Sequence, residues 1–293
     1  MPKSITIRPL CCGYMRVSLS VPYGNDVNLR HSAHQLFARD EKRVVLPVYA
    51  FLIEHPQGRF LIDTGFPREM SPKGEYDPKA VSALLPRHLA QFYRPWVPQG
   101  MAITEQLETL GLKPSDLDCV ILTHFDPDHI GALKSLKGAK RVIVAEDEYF
   151  WTCRTVYRAR QPQRFYQGVP MEHYWFKGSD VGPNRWAYDV LGDGTLITVS
   201  VPGHTDGMVS VLVTNGELLE HKYRFVLLTS DAAFTPRNWR EMITPGFGFD
   251  PKLQRRGLEW IASQEKRESC IKVLTSHDPD LEPQPITIDL LQK

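Results

Sequence analysis

Several apolar runs in this chain end on an acidic residue or a histidine. The residues at these ends are Asp63 after RFLI, His124 after CVILT, His204 after LITVSVPG, Asp231 after FVLLTS and His277 after KVLTS. Short apolar runs rich in Val, Ile and Leu predict buried strands. Segments with helical spacing lie between them, so the sequence predicts an α/β or α+β fold with at least two sheets.

The individual runs predict a definite order of elements. VYAFLIEH, PQG and RFLIDTG predict a hairpin that delivers Asp63, Thr64 and Gly65 at a strand end. AITEQLETLGL predicts a helix ending near Gly111, HIGALKSLKG a short helix and PKLQRRGLEWIASQEKRE a longer one. Further strands are predicted for CVILT, RVIVAE, GTLITVSVPGH, MVSVLVT, YRFVLLTSDA and CIKVLTSH.

Charge and hydropathy narrow the class of protein. The 35 Lys and Arg residues nearly cancel the 34 Asp and Glu residues, which disfavours nucleic acid as the main partner. No window approaches the roughly 18 apolar residues of a spanning helix, and the N-terminus has no secretion signal. We therefore expect a cytoplasmic enzyme with no membrane partner. No repeat or linker divides the sequence, so a single domain is predicted for residues 1–293.

The five cysteines are scattered and form no C-x-x-C pair. Reduced thiols are the expectation for such a set. A strained disulfide between the neighbours Cys11 and Cys12 is the alternative.

The segment HFDPDH concentrates metal-ligand chemistry in six positions: His124, Asp126, Asp128 and His129. Alternate residues of an extended loop face one side, and the last pair turns to the other, so the loop can serve two cations. Imidazole nitrogen and carboxylate oxygen suit zinc, iron and manganese. Four residues cannot fill two coordination shells, and His204, Asp231 and His277 are the candidates to complete them. The alternative is a set of ordinary hydrogen-bonded histidines and a solvated acidic turn.

HFDPDH resembles the H-x-H-x-D-H signature of the metallo-β-lactamase superfamily, and DTG, PGHTDG, SDA and SHD follow that superfamily's order. The resemblance spans residues 44–277. It implies an αββα sandwich, two packed sheets with helices outside, and a dinuclear site at one edge. It also implies that His124, Asp126 and His204 hold one metal, that Asp128, His129 and His277 hold the other, and that Asp231 bridges them. Asp63 would orient the ligands or, alternatively, cap a turn.

Within the superfamily, the hairpin and both histidine motifs look most like the N-acyl homoserine lactonases, which are quorum-quenching enzymes. This implies attack of a metal-bridging hydroxide on a lactone, a small-molecule substrate, with Asp128 as the catalytic residue that protonates the leaving alkoxide.

Two positions depart from the superfamily pattern. Asp126 stands where most members carry a histidine, so iron or manganese is an alternative to zinc, and the first site could be weaker or empty. Phe234 stands where the lactonases carry a tyrosine that contacts the substrate carbonyl.

Residues 147–187 form an aromatic and basic stretch that contains Arg154, Arg158, Arg160 and Arg164. The stretch is predicted to be an insertion that acts as a substrate lid. Tyr166, His173 and Tyr174 are its candidate pocket residues, together with Phe234. The alternative is that the aromatics only fasten the insertion to the sandwich. His31 and His34 are expected on the surface or in a lid rather than as ligands.

Other functions share this motif set. A glyoxalase II-like thioesterase, a diiron oxidoreductase and a catalytically impaired metal-binding protein of the same fold remain alternatives, and phosphodiester hydrolysis is disfavoured by the neutral charge. The sequence leaves open whether the protein is a monomer or a homodimer.

Overall fold

The computed structural model describes residues 4–24, 42–154, 158–216 and 223–291. His31 and His34 lie outside these residues. Within the described ranges no helix combines the length and the apolar character that crossing a membrane requires. The single-domain organisation of residues 1–293 stays a prediction.

The first sheet contains eight of the described strands. They are β1 (Ser4–Ser18), β2 (Arg43–His55), β3 (Gly58–Ile62), β4 (Pro95–Trp96), β5 (Cys119–Leu122), β6 (Val142–Ala145), β7 (Glu172–Tyr174) and a late strand, Ile286–Asp289. The late strand, β1, β2 and β3 pair antiparallel, whereas β3, β5, β6 and β7 run parallel. β4 pairs with β1 outside this order. The predicted hairpin is present, because β2 and β3 pair down to His55 and Gly58.

The second sheet contains six described strands. In chain order they are β8 (Lys177–Gly178), β9 (Trp186–Asp189), β10 (Leu196–Ser200), β11 (Val209–Thr214), β12 (Phe225–Leu228) and β13 (Cys270–Leu274); the late strand of the first sheet is β14. Strands β8 to β12 pair antiparallel, and β13 runs parallel to β12.

The described helices are short except for the last. They are α1 (Pro78–Leu84), α2 (Arg87–Tyr93), α3 (Ile103–Thr109), α4 (Pro127–Ile130), α5 (Glu146–Thr152), α6 (Pro236–Arg240) and α7 (Pro251–Glu265). Both α1 and α7 begin at an Asp-Pro pair, where Asp77 and Asp250 accept hydrogen bonds from the first turn's amides. The segment HIGALKSLKG, predicted as one short helix, is instead the end of α4 and a separate 3₁₀ turn, Leu133–Leu136.

Successive side chains along a strand point into two different hydrophobic environments, one on each face of the sheet. This alternation produces the layers of the fold. Phe60, Ile62 and Ile121 join Val211 of the second sheet in the core between the sheets. Leu61, on the opposite face of β3, packs with residues of α1 to α3, while Leu212 packs with α7 on the outside of the second sheet. The predicted αββα sandwich is therefore confirmed.

The stretch 147–187 contributes to both sheets. It contains most of α5, a 3₁₀ turn at Gln163–Phe165, β7 of the first sheet, and β8 and the start of β9 of the second. Its strands therefore belong to the sandwich itself, and the part between α5 and β7 is the part that reaches the candidate site. The lid function stays a prediction. All five cysteines are free, and Cys11 and Cys12 form no disulfide.

Candidate metal centre

The centre lies where strands of both sheets end. The first sheet contributes Asp63 after β3 and His124 after β5, and the second contributes Asp231 after β12 and His277 after β13. His204 lies in the connection between β10 and β11. Since β3 and β5 are parallel, as are β12 and β13, their carboxyl ends meet at the same edge of each sheet. The fold therefore brings together residues that are far apart in the sequence.

Four of the predicted ligands form one cluster: Asp128, His129, Asp231 and His277. The Oδ1 atom of Asp231 lies 3.1 Å from Nε2 of His129 and 3.1 Å from Nε2 of His277. The Oδ2 atom of Asp128 lies 3.7 and 3.5 Å from the same two nitrogens. We call this group the second cluster.

The other oxygen of Asp231 faces a different group. Its Oδ2 atom lies 3.3 Å from Nε2 of His204 and 3.9 Å from Nε2 of His124. Ligand atoms of these three residues lie within 4.8 Å of one another, and we call them the first cluster. Asp231 thus presents one oxygen to each cluster, which is the arrangement a bridging carboxylate requires.

Three of the four histidines are held with Nε2 toward the centre by bonds at Nδ1, whereas Nδ1 of His204 has no hydrogen-bond partner among the described residues. His129 Nδ1 lies 2.7 Å from Oδ2 of Asp63, and His277 Nδ1 lies 2.8 Å from the carbonyl oxygen of Pro47. His124 Nδ1 lies 3.1 Å from Oγ1 of Thr123. The carboxylate of Asp63 and the carbonyl of Pro47 can only accept hydrogen bonds, so His129 and His277 must carry a proton on Nδ1. In a neutral ring this leaves the lone pair of Nε2 for a metal.

These residues fit a bound cation. The buried atoms Nε2 of His124, Nε2 of His129 and Oδ1 of Asp128 have no hydrogen-bond partner among the described residues. Moreover, the lone pair of His129 Nε2 faces the carboxylate of Asp231, a contact that is repulsive unless a proton or a metal ion lies between them. The donor set of imidazole nitrogens and carboxylate oxygens suits divalent metal ions.

The electrostatics of the centre favour positive charge. Burial by itself lowers the pKa of His129, but the carboxylates of Asp231, Asp63 and Asp128 raise it well above its usual value. Burial would raise the pKa of Asp231, yet His277, His129 and His204 hold it well below its usual range. A group of carboxylates that attracts protons to its histidines this strongly also attracts divalent cations.

Two backbone positions beside the centre adopt left-handed conformations. Asp63 has φ of 59° and Ser230, immediately before Asp231, has φ of 50°. Non-glycine residues adopt this region at an energetic cost, and such residues concentrate at functional sites. The turns after β3 and β12 therefore place the carboxylates of Asp63 and Asp231 at some cost in backbone stability.

Asp126 lies beside the histidines of the first cluster and is also paired with Arg160. Its carboxylate lies 3.1 Å from His204 Nε2 and 3.6 Å from His124 Nε2, but both oxygens also accept hydrogen bonds from Arg160. Burial would raise the pKa of Asp126, and Arg160 and the neighbouring histidines hold it well below its usual range. Burial and Arg160 together lower the pKa of His204 to about 4.

Arg160 and Glu148 are two residues of this region that the sequence did not single out. Arg160 appeared only as one of several arginines in an aromatic stretch. Glu148 is fully buried and accepts hydrogen bonds from Phe125 N, Gln161 Nε2, Thr205 Oγ1 and Gly207 N. No local motif marks either role, because their partners are distant in the sequence.

The candidate pocket residues separate into two groups. The ring of Phe234 stacks on His277 with centroids 4.7 Å apart, and its edge contacts His204. The ring of Tyr166 packs edge-on against Phe125, the residue between His124 and Asp126. These two side chains adjoin the centre.

The other two candidates lie elsewhere. Tyr174 is buried between the sheets, where it stacks on Tyr188 at 4.4 Å, so the prediction that it lines the pocket is wrong. His173 points the other way from the same strand, and its Nδ1 lies 2.7 Å from Oε2 of Glu146. It also stacks on Tyr149, so it belongs to the edge of the first sheet.

Tyr93, at the end of α2, is a phenol close to the centre. Its pKa is raised well above the usual value by burial and then by the negative charges of Asp126 and Asp128. The phenol is therefore neutral and protonated, and it can donate a hydrogen bond. Nothing in its surrounding sequence, RHLAQFYRPW, indicates this location.

The chain is similar in sequence to known proteins. A family model described as the metallo-beta-lactamase superfamily matches residues 43–259. An N-acyl homoserine lactonase, AttM, from Azorhizobium caulinodans is 31% identical over 253 residues, covering 81% of this chain and 84% of the relative. AttM from Rhizobium radiobacter is 30% identical over 249 residues, covering 80% of this chain and 83% of the relative.

A solved structure has the same fold. An N-acyl homoserine lactone hydrolase with the product N-hexanoyl-L-homoserine at its catalytic metal centre superposes with a TM-score of 0.71. It is 22% identical, and the match covers 96% of this chain and 98% of that one. Together with the family match over residues 43–259, these similarities establish that the chain belongs to the metallo-beta-lactamase superfamily.

Proposed function

We propose that this protein is a metal-dependent hydrolase that opens the ring of N-acyl homoserine lactones. The observation that carries the proposal is the orientation of Asp231, whose two oxygens each face a separate group of histidine nitrogens. The names of the AttM relatives supply the substrate class. A small-molecule substrate and a cytoplasmic location are parts of the same proposal.

The proposed ligands divide by cluster. Asp128, His129 and His277 would hold one divalent ion, and His124, Asp126 and His204 the other, with Asp231 between the two. Zinc is the proposed metal, and iron or manganese is the alternative that Asp126 introduces through its harder oxygen. Asp63 would fix the ring of His129 through the hydrogen bond at Nδ1.

Divalent ions bound in these clusters would supply an activated water nucleophile and polarise the carbonyl of the substrate. The protein's own groups would handle the proton. The Oδ1 atom of Asp128 is buried with no hydrogen-bond partner in the described chain, so it is free to accept a proton while Oδ2 faces the histidines. A carboxyl group in this condition can carry a proton to the leaving alkoxide.

The walls of the centre suit a substrate with an apolar acyl group and a polar ring. Phe234 and Phe247 both contact the ring of His204, and Phe247 also packs against Phe92. Tyr93 would supply the phenolic donor that Phe234 lacks, hydrogen bonding the developing oxyanion.

The test is a pH-stat screen of lactones, thioesters and phosphodiesters, combined with metal analysis of the purified protein. We expect N-acyl homoserine lactones to be hydrolysed with a kcat/KM at least about 100-fold above the other classes. His129→Gln should lose at least about 100-fold in kcat. His55→Gln is the matched control and should retain activity. It alters a histidine of the β2–β3 hairpin whose Nε2 is hydrogen bonded to Thr195.

Other results would overturn the proposal. Preferential hydrolysis of thioesters would assign the protein to the glyoxalase II-like alternative. A protein that contains metal and hydrolyses none of these substrates would be a catalytically impaired member of the same fold.

A further inference from the structure

We propose that the guanidinium of Arg160 takes the place of a metal ion in the first cluster. The protein therefore holds one divalent ion firmly, and that ion lies in the second cluster. A second ion binds in the first cluster only when the guanidinium leaves. This inference rests on the metal sites of the proposed function and assigns them unequal affinities.

The guanidinium of Arg160 is bonded to two of the groups that the first metal would need. Its Nε donates to Oδ1 of Asp126 at 2.8 Å, and its Nη2 donates to Oδ2 of the same carboxylate at 2.5 Å. Nη2 also lies 2.6 Å from Nε2 of His204. The lone pair of His204 that would bind a metal is therefore used as a hydrogen-bond acceptor.

The remaining contacts hold the guanidinium in this position. Nη1 donates to the carbonyl oxygens of His204 and Phe247, each at 3.2 Å. With Nε and Nη2, these bonds use all five N–H groups of the side chain. The guanidinium also lies over the ring of Phe247, 4.2 Å from its centroid. A long surface arginine does not normally reach this state, and Arg160 is only 7% exposed.

Asp126 and Arg160 form a buried ion pair, and each residue accounts for the presence of the other. A neutral histidine at position 126 would leave the buried cation of Arg160 without a counter-charge, which is strongly unfavourable. The aspartate supplies that charge, and the pair has no net charge, as a histidine would have none. The departure from the superfamily signature is thus half of a pair whose other half lies 34 positions later in the sequence.

The second cluster is free of this competition. Within the described part of the chain, the hydrogen bonds of Arg160 go to Asp126, His204 and Phe247 and to none of Asp128, His129 or His277. A metal ion in the second cluster therefore displaces no cation. One in the first cluster has to displace the guanidinium or share a small buried volume with it, against the repulsion of two positive charges.

The experiment measures metal content and affinity without substrate. The protein is stripped with chelator, reloaded with Mn²⁺ or Zn²⁺, and analysed by calorimetric titration and by elemental analysis after dialysis. We expect the wild type to retain one equivalent and to bind a second at least about 100-fold more weakly. Arg160→Met keeps an unbranched side chain out to the position of Nε and removes the guanidinium and its donors. The variant should bind the second equivalent of metal at least about tenfold more tightly.

Two further variants complete the test. Asp126→His removes the counter-charge of Arg160 and introduces an imidazole ligand. This variant should therefore also bind the second equivalent of metal more tightly. Arg164→Met alters an arginine of the same segment that bonds the carbonyl oxygen of Ala83, and it should leave both equivalents unchanged. Circular dichroism shows whether each variant is folded.

Two results would overturn the inference. One is a wild type that binds two equivalents with equal affinity. The other is a folded Arg160→Met and a folded Asp126→His that both bind the second equivalent as weakly as the wild type. Failure of the protein to hydrolyse lactones would overturn the proposed function and leave these measurements intact.

Discussion

Asp63 links the backbone of β5 to a histidine of the centre. Its Oδ1 accepts from the amide of Thr123 at 2.8 Å, and its Oδ2 accepts from Oγ1 of Thr123 and Nδ1 of His129, each at 2.7 Å. The backbone of Asp63 also has a positive φ, which carries an energetic cost for a non-glycine residue. Its charge and its backbone conformation therefore make separate contributions, and a substitution can separate them.

Asp63→Asn should weaken metal binding about 10- to 100-fold, because an amide is a poorer acceptor for His129 Nδ1 and leaves Nε2 less basic. Asparagine tolerates the left-handed region, so the backbone should keep its conformation. The measurement is a competition titration against a chelator of known affinity. Asp63→Ala is the comparison, and it should also lower the melting temperature. An unchanged affinity in the asparagine variant would show that the hydrogen bond does not tune the ligand.

Tyr93→Phe should lower kcat for lactone hydrolysis by roughly 10- to 100-fold while KM changes little, since a donor to the developing oxyanion acts mainly in the transition state. Tyr149→Phe removes a phenol that lies beside His173 at the sheet edge and should leave kcat unchanged. Steady-state kinetics of both variants decide the matter. Equal kcat values for Tyr93→Phe and the wild type would exclude the phenol from the reaction.

At the scale of elements, α5 connects the two histidine-bearing loops. Glu148 in its first turn accepts from Phe125 N in the loop after β5 and from Thr205 Oγ1 and Gly207 N in the loop after β10. The loops approach the helix closely, because a Cβ atom added at Gly207 would lie 2.0 Å from the amide nitrogen of Glu148. The helix therefore fixes the distance between His124 and His204.

Glu148→Ala should lower the free energy of unfolding by about 3 kcal/mol, because it leaves several buried donors without an acceptor. Asp147→Ala changes the exposed neighbour in the same turn and should cost less than about 0.5 kcal/mol. Urea denaturation of the metal-free proteins measures both. Similar midpoints for the two variants would mean that the loops are held by other contacts.

The elements that the sequence predicted are those with local signals. CVILT, RVIVAE and the β2–β3 hairpin have the periodicity or turn residues of strands, and the structure places β5, β6, β2 and β3 there. The layers followed from the resemblance. The partners of Asp126 and Glu148 could not be predicted, because neither Arg160 nor Glu148 lies in a recognisable motif and their contacts arise from the packing of segments far apart in the sequence.

At the scale of the whole molecule, the centre joins the two sheets through buried charge. Asp63, Asp126, Asp128 and Asp231 are each at most 2% exposed, and Arg160 is the permanently charged cation bonded to one of them. Ligands from β5 and its loop belong to the first sheet, and those after β12 and β13 belong to the second. A cation bound between them would hold the two halves of the sandwich together, and its removal would leave carboxylates that repel one another.

The melting temperature should therefore depend on the free metal concentration. A metal ion that binds only the folded state adds about 4 kcal/mol at a free concentration 1,000-fold above its Kd. For a chain of this size that corresponds to a rise of roughly 6 °C over the metal-free protein. Scanning calorimetry across a series of metal buffers measures the slope, with potassium chloride at matched ionic strength as the control. A melting temperature that stays constant across the series would mean that the clusters bind no metal in the folded state, because a ligand specific to that state must stabilise it.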